Sequence, residues 1–259
     1  IDSDPINGIR PRRQAFGYDV EYSLDSMHFL KELMDILNNL GWMLHDVVAE
    51  GAYSQFELDF HYTNLLEMAD RLVFLKILLK EVAKKHNAFV TFMPKPTIGD
   101  WRSGGHINFS LENINDKKNV FKDENSWSKE SQFAVGGLLS HSEALTAITC
   151  PTVNSYNGLV PTVGGFEGGV HTWAPVNITY GHNNRSAQFR LPQNRFCIEN
   201  RAADLTMNVY LALGMTISAA VEGIKNKIDP GKPSDIDLYS LTDEESKKLG
   251  IKRLPRNLL

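Results

Sequence analysis

Apolar and polar residues alternate strictly in four short segments of the chain. These segments cover residues 54–60, 105–111, 186–191 and 196–201. A period of two places every apolar side chain of a strand on one face and every polar side chain on the other. The pattern therefore predicts four strands, each of which packs one face against a core.

Elsewhere in the chain, apolar residues at helical spacing predict four helices. The predicted helices cover residues 26–40, 64–86, 131–148 and 205–224. Gly41 follows the first helix and is expected to end it. Because helices and strands follow each other without a regular βαβ rhythm, we predict an α+β fold with an antiparallel sheet, in one domain over residues 1–259.

The composition is that of an ordinary globular protein and argues against several classes. Of the 259 residues, 42% are hydrophobic and 22% are charged, with a formal net charge of −4. We expect no nucleic-acid partner, since the basic residues form no cluster. We expect no membrane partner either, because no apolar run approaches the roughly 18 residues of a membrane span. Cys150 and Cys197 form no CxxC pair, which favours a reducing cytoplasm over a disulfide framework or a zinc site.

The polar faces of the predicted strands carry side chains that suit binding. An antiparallel sheet with one solvated face shows the same alternation. Here, however, the polar faces contain Glu57, His106, Arg190, Glu199 and Arg201 rather than Lys, Thr and Ser. The flanking segments, such as GDWRSGG and YGHNNR, are rich in Gly and Asn, which suits a backbone that approaches a ligand. Alternation alone leaves both a solvated face and a binding face open.

Carboxylates and an imidazole on one surface suit a hard divalent cation such as Mg²⁺ or Mn²⁺. Arginines beside them suit phosphate, because the planar guanidinium forms paired hydrogen bonds with phosphate oxygens. A metal and arginines together are the usual equipment for phosphoryl transfer from ATP. The chain contains neither a GxxxxGK[ST] loop nor a GxGxxG kinase loop. If ATP binds, it is held by a different architecture.

Four segments resemble, in the same order, the signature segments of the glutamine synthetase family. They are EGAYSQFELDF at residues 50–60, MPKPTIGDWRSGGHINFSL at 93–111, NNRSAQFRLP at 183–192 and IENRAADLTMNVYLAL at 198–213. The resemblance extends over about residues 16–224. It implies a glutamine synthetase/guanido kinase-like catalytic domain, in which helices flank a curved antiparallel sheet.

The segment HTWAPVNITYGHNNR is similar to the subgroup that contains γ-glutamylmethylamide synthetases and other glutamate–amine ligases. The resemblance implies an ATP-dependent carbon–nitrogen ligase. Such an enzyme joins glutamate to ammonia or a small primary amine through a γ-glutamyl phosphate intermediate. A catalytically silent relative with a structural or regulatory role is the alternative.

The resemblance also implies two metal sites, for Mg²⁺ or Mn²⁺. Glu50 and Glu57 match the positions that hold the metal nearer the glutamate and the amine. His106 and Glu199 match the positions that hold the metal bridging the ATP phosphates.

Further residues match positions that bind ATP in the family. Arg185 and Arg190 match phosphate-binding arginines, and Arg201 matches the arginine that contacts the transferred phosphoryl group. Ser110 matches a position near the adenine. The resemblance therefore implies that Arg185 and Arg201 take part in catalysis.

Around the expected glutamate site, the chain both follows the family pattern and departs from it. Gly104 and Gly105 match glycines that let the backbone approach glutamate. Gly158 stands where the family usually has an arginine that grips the glutamate carboxylate. The family's flap glutamate, which helps to remove a proton from ammonium, aligns either with Glu167 or with Trp173.

The family resemblance further implies an assembly. Such proteins form rings, often two stacked hexamers, and the N-terminal domain of a neighbouring subunit completes each active site. We therefore expect a cytoplasmic homo-oligomer, a dodecamer by this resemblance. We also expect the 259 residues to be part of a longer polypeptide, because the family's small N-terminal β-grasp domain has no counterpart in this sequence.

Overall fold

A computed structural model of the chain describes residues 27–52, 54–97, 101–159 and 173–258. The chain divides into two compact units, residues 1–92 and residues 93–259. The expectation of one domain over residues 1–259 stays a prediction.

The first unit packs two helices against a β-hairpin. Its elements are α1 (Met27–Asn39), β1 (Leu44–Ala49), β2 (Phe56–Phe60) and α2 (Leu65–Lys85). Leu33 and Leu37 of α1 form a buried cluster with Leu75 and Leu79 of α2. Gly41 adopts a φ of +70°, and this left-handed conformation ends α1 as the sequence predicts.

The second unit is built around a five-stranded sheet. The strands of this unit are β3 (Ile107–Phe109), β4 (Lys122–Asp123), β5 (Ser126–Trp127), β6 (Asn177–His182), β7 (Ala187–Leu191), β8 (Ile198–Asn200) and β9 (Lys252–Arg253). The sheet has the order β3-β8-β7-β6-β9, while β4 and β5 form a separate two-stranded hairpin. The predicted strands of residues 105–111, 186–191 and 196–201 are therefore neighbours in one sheet.

Helices and strands together confirm the α+β class, but the sheet is mixed. Strands β6 and β7 pair in parallel, whereas the other three junctions of the five-stranded sheet are antiparallel. Alternation gives the faces of a strand and not its direction, so the sequence pattern could not predict the parallel pair. Strand β6 was not predicted at all; four of its six residues are buried, and the polar Asn177 and Thr179 are among them.

The helices of the second unit are α3 (Lys129–Ser140), α4 (Ser142–Thr149), α5 (Val153–Tyr156), α6 (Val209–Asn226) and α7 (Asp243–Lys248). The single helix expected over residues 131–148 is wrong, because the backbone breaks at His141. The hydroxyls of Ser140 and Ser142 donate to the carbonyls of Gly137 and Leu138. Such bonds compete with the helical ladder. Within the described ranges, no helix has the length and apolar character needed to cross a membrane.

Helices α3 and α6 cross where both lack side chains. A Cβ atom added to Gly137 would lie 2.1 Å from the carbonyl oxygen of Ala219 and 2.7 Å from the Cα of Gly223. These neighbours are backbone atoms and cannot rotate away. The two helix axes can approach this closely only because glycine occupies the crossing point.

We predict that Gly137→Ala lowers the free energy of unfolding by about 1–3 kcal/mol, because its methyl group overpacks the crossing. Gly214→Ala is the matched control, since a Cβ at Gly214 of α6 meets no atom within 4 Å. The control should stabilise the protein by about 0.4–1 kcal/mol. Thermal or urea unfolding of both variants measures the difference. Equal changes in the free energy of unfolding for the two variants would contradict the close approach of the two helices.

Candidate active site

Strand register brings the polar faces of three strands together in the second unit. Glu199 of β8 lies directly opposite Arg190 of β7 on one side and Asn108 of β3 on the other. Directly opposed residues of antiparallel strands point to the same face of a sheet. His106 and Arg201 lie two residues from Asn108 and Glu199, and both contact the Glu199 carboxylate. The binding face expected from alternation is thus a continuous surface.

Both oxygens of the Glu199 carboxylate accept hydrogen bonds from arginines. Nη1 of Arg190 lies 2.8 Å from Oε2, and Nη1 of Arg201 lies 2.7 Å from Oε1. Nδ1 of His106 is 3.4 Å from Oε1. The Glu199 side chain is only 4% exposed. A buried carboxylate is stable in this environment only because it is paired and hydrogen-bonded.

These contacts set the protonation states of the two predicted metal ligands. Burial opposes ionisation of Glu199, but its electrostatic interactions with Arg201, His106 and Arg190 outweigh burial and lower the pKa of Glu199 to about 2. Desolvation by the surrounding protein, together with the positive charge of Arg201, lowers the pKa of His106 to about 3, although Glu199 opposes the shift and 29% of the side chain is exposed. At neutral pH the site therefore contains a neutral imidazole beside an ionised carboxylate.

Arg201 connects three parts of the unit through its guanidinium. Besides Glu199, it donates from Nε to the carbonyl of Arg185 at 3.0 Å and from Nη2 to the carbonyl of Trp173 at 3.0 Å. The guanidinium of Arg185 stacks 4.3 Å above the Trp173 ring, which meets Trp101 edge-on at 5.7 Å. Two of the predicted phosphate-binding arginines are thereby held by one tryptophan, through its backbone and its ring.

Arg190 has a second partner that the sequence analysis missed. Its Nη2 donates to Oδ1 of Asn183, a residue that adopts a φ of +55°. Asparagine tolerates this left-handed conformation better than most residues. The pair of asparagines in YGHNNR is the sequence signal that could have identified this position.

At β3, the edge of the polar face is formed by Asn108 with Arg195 and the thiol of Cys197. Oδ1 of Asn108 lies 3.2 Å from Nη2 of Arg195 and 3.8 Å from the Cys197 sulfur. Burial raises the pKa of the Cys197 thiol. Ser110 directly follows β3 and is exposed. Its expected position near an adenine stays a prediction.

The two glycines expected to lie near glutamate leave room around His106. A Cβ at Gly104 would lie 2.9 Å from Nε2 of His106, and a Cβ at Gly105 would lie 3.0 Å from the backbone of Asp204. The Gly105 N–H donates to the carbonyl of Ala203 at 2.9 Å. The absence of side chains therefore keeps the Nε2 edge of the imidazole uncovered and lets the turn pack on the segment after β8.

The first unit carries the other two predicted metal ligands on its hairpin. Glu57 of β2 lies opposite Val48 of β1, and the Glu50 N–H donates to the carbonyl of Gln55 at 2.8 Å. Glu50 is two residues from Val48, so the register places Glu50 and Glu57 on the same face of the hairpin. Oε2 of Glu50 accepts from the N–H of Gly51 at 3.0 Å. The two carboxylates are thus diagonal neighbours.

Within the residues the structure describes, no group of three or more His, Cys, Asp or Glu side chains is arranged to hold a metal. The pair of His106 and Glu199 has the protonation states that metal ligation requires. Two protein ligands suit Mg²⁺, which usually keeps several waters and takes its other ligands from substrate phosphates. The donor chemistry of this pair therefore fits a nucleotide-bound cation.

One residue near the site was not anticipated, and one predicted residue lies outside the described part of the chain. Arg102, which the sequence analysis did not single out, is buried and contacts the segment that follows Glu199. Gly158 lies against the Arg102 side chain. Glu167, one of the two possible flap residues, lies outside the described residues, so its predicted role remains untested.

Comparison with known proteins supports this reading of the motifs. The family model for the catalytic domain of glutamine synthetase matches residues 2–259. A glutamine synthetase of Methanosarcina mazei is 40% identical over 253 residues, which are 95% of this chain and 51% of that protein. A glutamate–methylamine ligase of Methyloversatilis universalis is 37% identical over 246 residues, which are 93% of this chain and 54% of that protein.

Solved structures show the same fold. The GmaS/ADP complex in conformation 1 superposes with a TM-score of 0.85 at 32% identity, covering 99% of this chain and 57% of that one. Apo GmaS without ligand superposes with a TM-score of 0.82 and covers 95% of this chain and 55% of its own. The chain thus spans about half the length of the relatives it matches. Sequence, motif order and fold agree, and the chain belongs to the glutamine synthetase catalytic-domain family.

Proposed function

We propose that this chain is the catalytic part of an ATP-dependent ligase. The reaction joins the side-chain carboxylate of glutamate to ammonia or a small primary amine, through a γ-glutamyl phosphate. The observation that carries the proposal is the Glu199 carboxylate, ionised beside the neutral His106 and bound by Arg190 and Arg201. Family membership supports it, since matched relatives are named glutamine synthetase and glutamate–methylamine ligase.

The first step is transfer of the ATP γ-phosphoryl group to the glutamate carboxylate, with release of ADP. His106 and Glu199 would hold the cation that, when bound, neutralises phosphate charge and orients the phosphates. Arg201 lies beside this pair in a fixed orientation, because its guanidinium bonds to Glu199 and to two backbone carbonyls. A preorganised cation of this kind stabilises negative charge that develops on the transferred group.

The second step is attack of the amine on the acyl phosphate, with release of inorganic phosphate. Trp173 offers an apolar and aromatic surface on which Arg185 already stacks. Trp173 is 38% exposed, so its ring is accessible. An alkylamine or an arylamine suits such a surface better than ammonium, which is best held by carboxylates. Glu50 and Glu57 are assigned to the second cation.

A ring of subunits remains part of the proposal. Its basis is the family resemblance. Gly158, in place of the arginine that grips the glutamate carboxylate, is the observation that favours the silent-relative alternative. A protein without catalytic function has no physical reason to retain Glu199 in contact with His106, Arg190 and Arg201.

We predict that the native protein turns ATP over to ADP continuously only when both glutamate and an amine are present with Mg²⁺ or Mn²⁺. The first substrate must be activated before the amine can react, and the acyl phosphate supplies the leaving group. Coupled measurement of ADP, with mass spectrometry of the γ-glutamyl product, tests this. Absence of both ADP formation and γ-glutamyl amide, over a panel of amines, would support the silent relative instead.

We predict that Glu57→Gln and His106→Ala each lower turnover by about 100-fold or more. Mutation of residues that only hydrogen-bond to metal ligands already lowers metal affinity or activity by about 10–100-fold. The matched controls are Asp46→Asn on the same hairpin and His141→Ala outside the polar face, and both should retain normal turnover. Circular dichroism checks that each variant is folded. Near-normal activity of either site variant at saturating Mg²⁺ would remove the corresponding metal assignment.

We predict that the native protein prefers methylamine or a larger amine to ammonia, because Trp173 provides an aromatic wall. The values of kcat/KM for ammonia, methylamine and an aromatic amine give the order directly. Trp173→Glu should shift the preference towards ammonia by supplying a carboxylate for the ammonium ion. A clear preference of the unmodified protein for ammonia would show that the Trp173 argument is wrong.

A further inference from the structure

Arg102 is buried and donates hydrogen bonds to two backbone carbonyls. Its side chain is only 4% exposed. Nη1 donates to the carbonyl of Arg201 at 3.4 Å, and Nη2 donates to the carbonyl of Ala202 at 2.5 Å. Nη2 also lies 3.6 Å from Oδ2 of Asp204, which is itself buried. The buried guanidinium holds residues 201–204 at a fixed position, because a movement of these residues would leave the charge of Arg102 without partners.

The segment that Arg102 holds begins at a residue of the site. Arg201 presents its side chain to Glu199 and its carbonyl to Arg102. The same segment is fixed by the Gly105 N–H, which donates to Ala203. The orientation of the Arg201 guanidinium therefore depends on a backbone position that Arg102 helps to set.

Gly158 leaves the space that the Arg102 side chain occupies. A Cβ at Gly158 would lie 2.6 Å from Cδ and 2.7 Å from Cγ of Arg102. These atoms are in the middle of a side chain whose guanidinium is already bound, so the stem cannot rotate away as a free end could. A side chain at position 158 and the observed Arg102 conformation thus exclude each other.

We propose that Arg102 is a positioning residue for Arg201, and that Gly158 is required because it accommodates the Arg102 stem. This inference rests on the proposed function, in which Arg201 contacts the transferred phosphoryl group. It also gives Gly158 a role of its own at the position where the family pattern predicts an arginine. Arg102 acts through the backbone and does not itself contact substrate.

The first test uses Arg102→Met, which keeps the length of the stem and removes the charged head. We expect kcat to fall by about 10–100-fold, because misplacement of a positioning group by about 1 Å has effects of this order. Arg102→Lys retains the charge and one donor group, and it should restore part of kcat. Leu138→Ala, a fully buried residue of α3, is the control for loss of stability alone and should keep kcat.

Nucleotide binding separates this inference from the proposed function, since it requires no turnover. In calorimetry with Mg²⁺, Arg102→Met should bind ADP with an affinity within about twofold of normal. It should lose about tenfold in affinity for ADP with aluminium fluoride, a mimic of the transferred phosphoryl group. Unchanged affinity for that mimic would overturn the inference, whatever the activity. Absence of ligase activity in the unmodified protein would instead overturn the proposed function.

The pairing with Gly158 is tested by a double-mutant cycle. Gly158→Ala should lower kcat when Arg102 is present, because the added methyl group displaces the stem. In an Arg102→Ala background the same change should have little further effect. Independent, additive effects of the two changes on kcat would show that residues 102 and 158 are not coupled.

Discussion

The buried carboxylate of Glu199, bound by one arginine at each oxygen, is the interaction on which the polar face of the second unit depends. Arg190 of the neighbouring strand lies 2.8 Å from the carboxylate, and Arg201, which directly follows the strand of Glu199, lies 2.7 Å from it. A carboxylate buried to this degree would be costly without them, and removing one partner of such a pair costs about 3–5 kcal/mol. Its low pKa keeps it ionised over the whole physiological range. The site is thus stable and chemically competent for the same reason.

Hydrogen-bonded strands give this arrangement its precision. The polar residues lie in or directly beside β3, β7 and β8, which are adjacent in the sheet. Side chains on packed strands are positioned more accurately than side chains on loops. Arg201 then extends the order beyond the strands, because it also binds the carbonyls of Arg185 and Trp173. One buried ion pair therefore orients a neutral imidazole, two further arginines and an aromatic ring.

Much of the site could be predicted from the sequence, since a period of two determines which residues share a face. This rule placed His106, Glu199, Arg190 and Arg201 on polar faces, and the register of the strands brought those faces together. The family motifs added the order of the segments, and the family comparison confirmed it.

Features that depend on contacts between distant residues could not be predicted in this way. Strand β6 buries the polar residues Asn177 and Thr179, so its polarity does not indicate which positions are buried. The apolar spacing over residues 131–148 did not reveal the break at His141. Arg102 and Gly158 are 56 positions apart, and their steric exclusion becomes visible only when both are placed in space.

The most direct test of the account is the position of the cation in the native protein. Crystals grown with Mn²⁺ and ADP, measured near the manganese absorption edge, would locate the metal by anomalous scattering. The account predicts a manganese ion at about 2.0–2.3 Å from both a nitrogen of His106 and an oxygen of Glu199, with further ligands from phosphate and water. It would be contradicted if Glu199 kept both arginine bonds, with no metal in contact with it or with His106.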